Sequence, residues 1–118
     1  MDDIRLVFRG NVYIVDLGNN NGSVQSGIRP CVVIGNNMNN IHSTTTQIIP
    51  LTTSDKQKLP IHVNLNKAQY PFLNQDSVAI TEQITTVDKG QIRQFIGVLT
   101  ERDVNKIIRC LNIQVGKD

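Results

Sequence analysis

The chain has 118 residues, 39% of them apolar and 19% charged, with a formal net charge of +2 and an isoelectric point near 8.7. These values describe a globular chain of one domain, residues 1–118, with a modest core, and exclude a disordered one. Aromatic residues make up only 4%, with no Trp, which argues against a stacking platform for single-stranded nucleic acid, while the mild positive charge leaves the partner open.

The two cysteines, Cys31 and Cys110, stand apart from any CxxC spacing or histidine pair. They read as reduced, small apolar residues of a cytosolic protein. No apolar leader segment follows Met1 and no apolar run approaches a membrane span, so the chain is expected to be soluble, cytoplasmic and not secreted.

In chain order, residues 1–8 mix carboxylates with an apolar patch. Arg9-Gly10 then introduces Asn11 to Asp16, a run of β-formers that predicts the first strand. Gly18 and the asparagines up to Asn21 predict a loop, which continues as a polar segment between Gly22 and Gly27 carrying Ser23, Gln25 and Ser26. Pro30 fixes its own φ and biases Arg29 toward an extended conformation at a strand entrance. Cys31 to Ile34, bounded by Gly35 and two asparagines, reads as a buried strand. An Arg at that mouth, facing a Gly/Ser loop, is well placed to hold an anion. It would serve equally as a structural Arg, paired with a carboxylate and closing that end of the sheet.

Residues 35–46 are polar and turn-rich, and lead into a third strand, Gln47 to Leu51, that ends at Thr52-Thr53. Pro50 demotes this strand to an edge or a bulged position. Ser54 to Leu59 is a short charged loop carrying Lys56 and Lys58. From Pro60 to Leu65, apolar Ile61, Val63 and Leu65 alternate with His62 and Asn64, a period of two that puts His62 on the less buried face. Lys67 to Gln75 is irregular around Tyr70-Pro71, and Ser77 to Ile84 is the next strand. Thr86 to Lys89 has the composition of a cap for a short helix running through Gln94. Thr100, followed by Glu101 and Asp103, starts the final helix, with carboxylates where the dipole favours them. Its apolar stripe of Val104, Ile107, Ile108 and Leu111 serves a core or a dimer seam, and Gly116 ends it.

This order predicts a mainly β fold with peripheral helices: a small, strongly curved antiparallel sheet or barrel with a C-terminal helix. No connection is long enough for a parallel crossover.

Several chemistries fail on residue types and spacing. His42 and His62 stand apart with no HxH or HExxH spacing, which leaves no metal-ligand set. There is no GxSxG elbow, and Cys31 lies in an apolar run where a thiolate is costly. The glycines follow neither GxGxxG nor P-loop spacing. What remains is a substrate that brings its own nucleophile. RNA is such a substrate, because its 2′-OH attacks the adjacent phosphate while the protein aligns the chain, moves protons and stabilises the added charge. The planar guanidinium of Arg suits that phosphate.

RGNVYIVDLG from Arg9, GSVQSGIRPCVVI from Gly22, IIPLTT from Ile48, LPIHV from Leu59 and DSVAITEQITTVDK from Asp76 follow one another over nearly the whole chain. Together they resemble the MazF/PemK family of type II toxin–antitoxin systems, in the branch common in Gram-positive bacteria. The resemblance implies an SH3-like barrel with appended helices and a homodimer. It also implies a metal-independent, cofactor-free, sequence-specific endoribonuclease acting on single-stranded RNA (mRNA), held inactive by a cognate antitoxin. The family's catalytic pair falls on Arg29 and Thr52, its RNA-binding loop on Ser23 and Gln25, and its groove-lining block on Glu82 and Gln83. His62 aligns with a strand His that either contacts RNA or hydrogen-bonds at the surface, and Thr53 either assists Thr52 or serves the turn. Lys56 and Lys58 read as a solvated charged loop, with phosphate contact as the other role. The sequence departs from the family at Val24, where a Glu is usual, and at Asn11, where Arg-Gly-Asp is usual. Two other readings stand beside the ribonuclease. One is a non-enzymatic, CcdB-like gyrase-binding toxin, although the Trp of that family's C-terminal segment is missing here. The other is a catalytically weakened member that keeps antitoxin binding.

Overall fold

The computed structural model describes residues 6–53 and 59–116. The first expected strand forms as β1, Asn11–Asp16, with Val12 and Val15 fully buried. The Arg-Pro step opens β2, Ile28–Val33, whose apolar end is buried as expected. A short helix α1, Asn37–His42, precedes β3, Thr45–Thr53. Then follow β4, His62–Leu65; β5, Ser77–Ile80; β6, Thr85–Asp88; β7, Ile92–Val98; and the terminal helix α2, Glu101–Val115. Lys56 and Lys58 lie outside the described residues.

The strands make one antiparallel sheet in the order β4-β5-β3-β2-β1-β7, with β6 also paired to β3. The antiparallel sheet and the C-terminal helix are as expected. The sheet is not closed: β4 and β7 are its two ends, so the barrel expected from the sequence is an open, curved sheet. Its bend lies in β3, which pairs with β6 over Thr45–Ile48 and with β5 over Leu51–Thr53.

Pro50 falls in the gap between those two pairings, where no ladder hydrogen bond is asked of it on that flank. That is how a proline sits in a central strand whose register with β2 runs through it without a shift, and the expected edge or bulged position is corrected accordingly. The helix expected from Thr86 through Gln94 is likewise absent. Its capping signal is real, because Asp88 and Gln91 form a reciprocal capping box, but the box caps only a single 3₁₀ turn, Lys89–Gln91. Before that turn lies β6, and after it β7, which pairs with β1 through two register shifts. The strand expected over Ser77–Ile84 stops at Ile80 and gives way to a 3₁₀ turn, Thr81–Gln83.

Residues alternate across β2 and β3 to feed two cores on opposite faces. Val32, Ile49 and Leu51 join the larger cluster, which α2 covers with Val104 and Ile107. Val15, Cys31, Val33, Ile48, Val87 and Ile92 form the second. The start of α2 is as expected: Thr100 Oγ1 accepts from the Asp103 N–H, and buried Asp103 accepts from the Tyr70 hydroxyl. No helix among the described residues is long and apolar enough to cross a membrane.

Candidate active site

The loop between β1 and β2 is folded on itself. At its base Asp16 accepts from the Gly18 N–H at 2.9 Å and from Arg93 at 3.0 Å, and these contacts, the backbone one first, hold its carboxyl below the usual carboxylate range. Gly27 donates to Gly18 O and Leu17 to Gly27 O, with both glycines at positive φ (74° and 80°), a conformation other residues rarely adopt. Asn20 knits the loop's centre, donating from its backbone N–H to Ser26 Oγ at 2.8 Å and from Nδ2 to Gln25 O at 2.7 Å. Neither Asn20 nor Ser26 stands out from composition as an organiser of the loop. Asn and Ser side chains bonded to nearby backbone are a known turn signal that could have found them.

Arg29 leaves this loop at the start of β2, half-buried, across from Val15 of β1. Its Nε donates to Ser26 O at 2.8 Å. Among the described residues its Nη groups have no hydrogen bond and no ion pair, so no carboxylate claims the fork there. The β2–β3 register runs Val33 to Ile48, Val32 to Ile49 and Cys31 to Pro50 and ends there, with Arg29 two residues further along β2 and Thr52, which pairs with Val78 of β5, two residues further along β3. By strand alternation Arg29 shares a face of β2 with Cys31 and Val33, which belong to the second core. Thr52 is half-buried and Thr53 exposed, and the same alternation sends Thr53 to the other face. Cys31, two residues inward from Arg29, is driven by burial to a pKa of about 12, against the smaller opposing effect of the Arg29 charge. It is therefore a neutral packing group and no nucleophile.

The far wall is the 3₁₀ turn. His62 Nδ1 accepts from the Leu59 N–H at 3.2 Å, which leaves the ring proton on Nε2 to be donated to both Glu82 oxygens at 3.0 and 3.1 Å. His62 does alternate outward along β4, yet this pair leaves its side chain only 7% exposed. Gln83 bonds to the β1–β2 loop, accepting from Gln25 N–H and donating to Ser23 O. Between loop and turn lies a hollow of about 380 Å3 floored by Pro50 and lined by Leu17, Val24 and Ile84 with the amides of Asn20, Gln25 and Gln83. Ser23, next to Val24 in the loop, is exposed and is not among the residues lining the hollow, nor are Arg29 and Thr52. Gln25 Oε1 is buried with no hydrogen-bond partner among the described residues.

Residues 8–115 match the family model described as the PemK-like, MazF-like toxin of type II toxin–antitoxin systems. The chain belongs to that family. It is 37% identical over 109 residues to an "Endoribonuclease MazF" of Staphylococcus saprophyticus, covering 92% of this chain and 90% of that one. A Staphylococcus epidermidis protein of the same name is 37% identical over 112 residues, with 94% and 92% covered. Among solved structures, MazF (Form-I) from Deinococcus radiodurans shares the fold with a TM-score of 0.81 at 18% identity, covering 96% of this chain and 99% of that one. An endoribonuclease in complex with its cognate antitoxin, from a mycobacterial species, superposes with a TM-score of 0.76 at 27% identity over 95% and 97% of the two chains. As a MazF-like toxin, the chain is not a CcdB-like gyrase binder.

Proposed function

We propose that this toxin is an endoribonuclease that cuts single-stranded RNA by transesterification, with Arg29 and Thr52 as its catalytic residues. The 2′-OH attacks the adjacent phosphorus, the O2′–P bond forms as the P–O5′ bond breaks, and the products are a 2′,3′-cyclic phosphate and a 5′-OH. The proton leaves the 2′-OH and one is delivered to the departing O5′. Arg29 acts on the charge that builds on the non-bridging oxygens, because a fixed guanidinium fork aimed at that charge needs no reorganisation. A guanidinium stays protonated and is a poor general base. Thr52 supplies a second, neutral donor to the same phosphate.

The observation that carries this reading is the tether of Arg29, whose Nε donates to Ser26 O while its Nη groups carry no hydrogen bond or ion pair among the described residues. Gln25, which lines the hollow, and the exposed Ser23 beside it in the loop supply polar contacts to RNA. The reading extends to a cytoplasmic homodimer that requires no metal or other cofactor and is neutralised by a cognate antitoxin. The mycobacterial relative solved with its antitoxin supports that partner. Incubation of the purified protein in EDTA with an RNA oligonucleotide, and with the same oligonucleotide carrying 2′-deoxyribose at the cut, tests the chemistry. Cleavage of the first and not of the second is expected. Cleavage of both would refute 2′-OH attack, and cleavage of neither would refute the activity.

A further inference from the structure

The turn Thr81–Gln83 is a single turn of 3₁₀ helix, whose three residues per turn send successive side chains about 120° apart. Thr81 goes inward and is fully buried. Glu82 goes to His62, which in turn accepts from the Leu59 backbone. Gln83 goes to the β1–β2 loop. Adjacent residues thus hold two different parts of the chain, and the resulting grip on the loop has a direct line to Arg29.

Gln83 Oε1 accepts from Gln25 N–H at 2.8 Å and Nε2 donates to Ser23 O at 2.9 Å, across 58 and 60 residues of chain. These two backbone groups flank Val24, so the side-chain amide bonds to the loop as a neighbouring strand would. Among the described residues, no other hydrogen bond ties 19–25 to an element outside the loop and its own ends. From there the connections are short. Gln25 O and Ser26 Oγ are both held by Asn20, and Ser26 O accepts from Arg29 Nε.

We propose that Gln83 is a positioning residue for RNA cleavage: by clamping the backbone on both sides of Val24 it fixes Ser26, and through Ser26 O the direction of the Arg29 fork. This rests on the reading of Arg29 as the group that stabilises the phosphate. Each end of the Gln83 amide carries one hydrogen bond to the loop, so its removal disturbs the loop's geometry in the free protein, and the split between kcat and KM separates that effect from contact with RNA. Small misplacements of such a group cost up to about a hundredfold in rate.

The test compares wild type, Gln83→Ala and Gln83→Glu for kcat and KM on an RNA oligonucleotide, for exchange of the Gln25 backbone amide, and for thermal midpoint. For Gln83→Ala, kcat is expected to fall about tenfold with KM within about twofold, and Gln25 exchange to quicken by about tenfold or more. Gln83→Glu keeps the acceptor for Gln25 N–H but sets a carboxylate oxygen against Ser23 O, so both effects are expected in the same direction. Should the alanine variant fail to fold, the Glu variant carries the same comparison. A raised KM with kcat kept would overturn the proposal in favour of direct RNA contact. Faster exchange with kcat unchanged would overturn it too, because the loop would then be free without consequence. Wild-type protein that cuts no RNA would refute the activity and the positioning role with it, while exchange would still report whether the clamp exists.

Discussion

Arg29 donates its Nε to the carbonyl of Ser26, 2.8 Å away and three residues earlier in the chain. The Nε–H is thereby spent on the protein, while the Nη groups carry no hydrogen bond or ion pair among the described residues. A lysine has no such division of labour: its ammonium is a single point charge on a flexible stem. Arg29→Lys is expected to keep the fold and to recover less than about a tenth of wild-type kcat. Recovery to within twofold, measured in single-turnover cleavage, would mean that charge alone suffices.

Val24 is 56% exposed and lies between the two backbone groups that Gln83 holds. A substitution there touches no core, so Val24→Glu is expected to change stability by less than about 0.5 kcal/mol. Its carboxylate would enter the hollow beside Gln25, changing the cleavage rate or the preferred RNA sequence. Rate measurements with sequencing of the cut ends check this, and an unchanged profile would remove Val24 from the site.

Burial drives the Cys31 thiol to a pKa of about 12, whereas an unfolded cysteine ionises near about 8.5. Between those values the native state holds a proton that the unfolded state has lost, so this group's contribution to stability falls as pH rises. Burial, aided by the Asp103 hydrogen bond, raises Tyr70 as well and acts in the same direction above about pH 10. Urea denaturation at pH 7, 9 and 10.5 is expected to show declining stability. Cys31→Ala should be less stable than wild type at pH 7 and should show a shallower decline; equal slopes would contradict the assignment to Cys31.

A Cβ on Gly97 would come within 2.3 Å of the Phe72 ring, which packs against the larger core. The ring must move for any side chain to fit there. Gly97→Ala is expected to cost about 1–3 kcal/mol by denaturant unfolding, and Phe72→Leu should relieve part of it. A loss under about 0.5 kcal/mol would show that the ring yields easily.

The sequence made β1, the buried part of β2 and α2 legible because each carries both a period and a boundary: β-formers after Arg9-Gly10, an apolar run after Arg29-Pro30, a stripe between Thr100 and Gly116. β7 carried neither. As an end strand it leaves Phe95 and Val98 more than half exposed, and bulges against β1 disrupt its alternation. α1 was hidden for a related reason. It is capped by Asn36 and buries a polar residue, Asn40, bonded to Gly35 and Thr46, where an apolar stripe would be sought. In the site, Arg29 was marked by its own local context, while Thr52 came from the resemblance alone. The bonds from Gln83 to Ser23 and Gln25 span about half of the chain, and no local pattern carries them.

The central claim is that Arg29 stabilises the phosphate in RNA cleavage, and single-turnover cleavage by Arg29→Ala against wild type, in EDTA on one RNA oligonucleotide, measures it most directly. The expected result is a fall in the rate constant of about a hundredfold or more, about 3 kcal/mol of barrier, with the thermal midpoint unchanged within a few degrees. A variant that cuts within about threefold of wild type would contradict it.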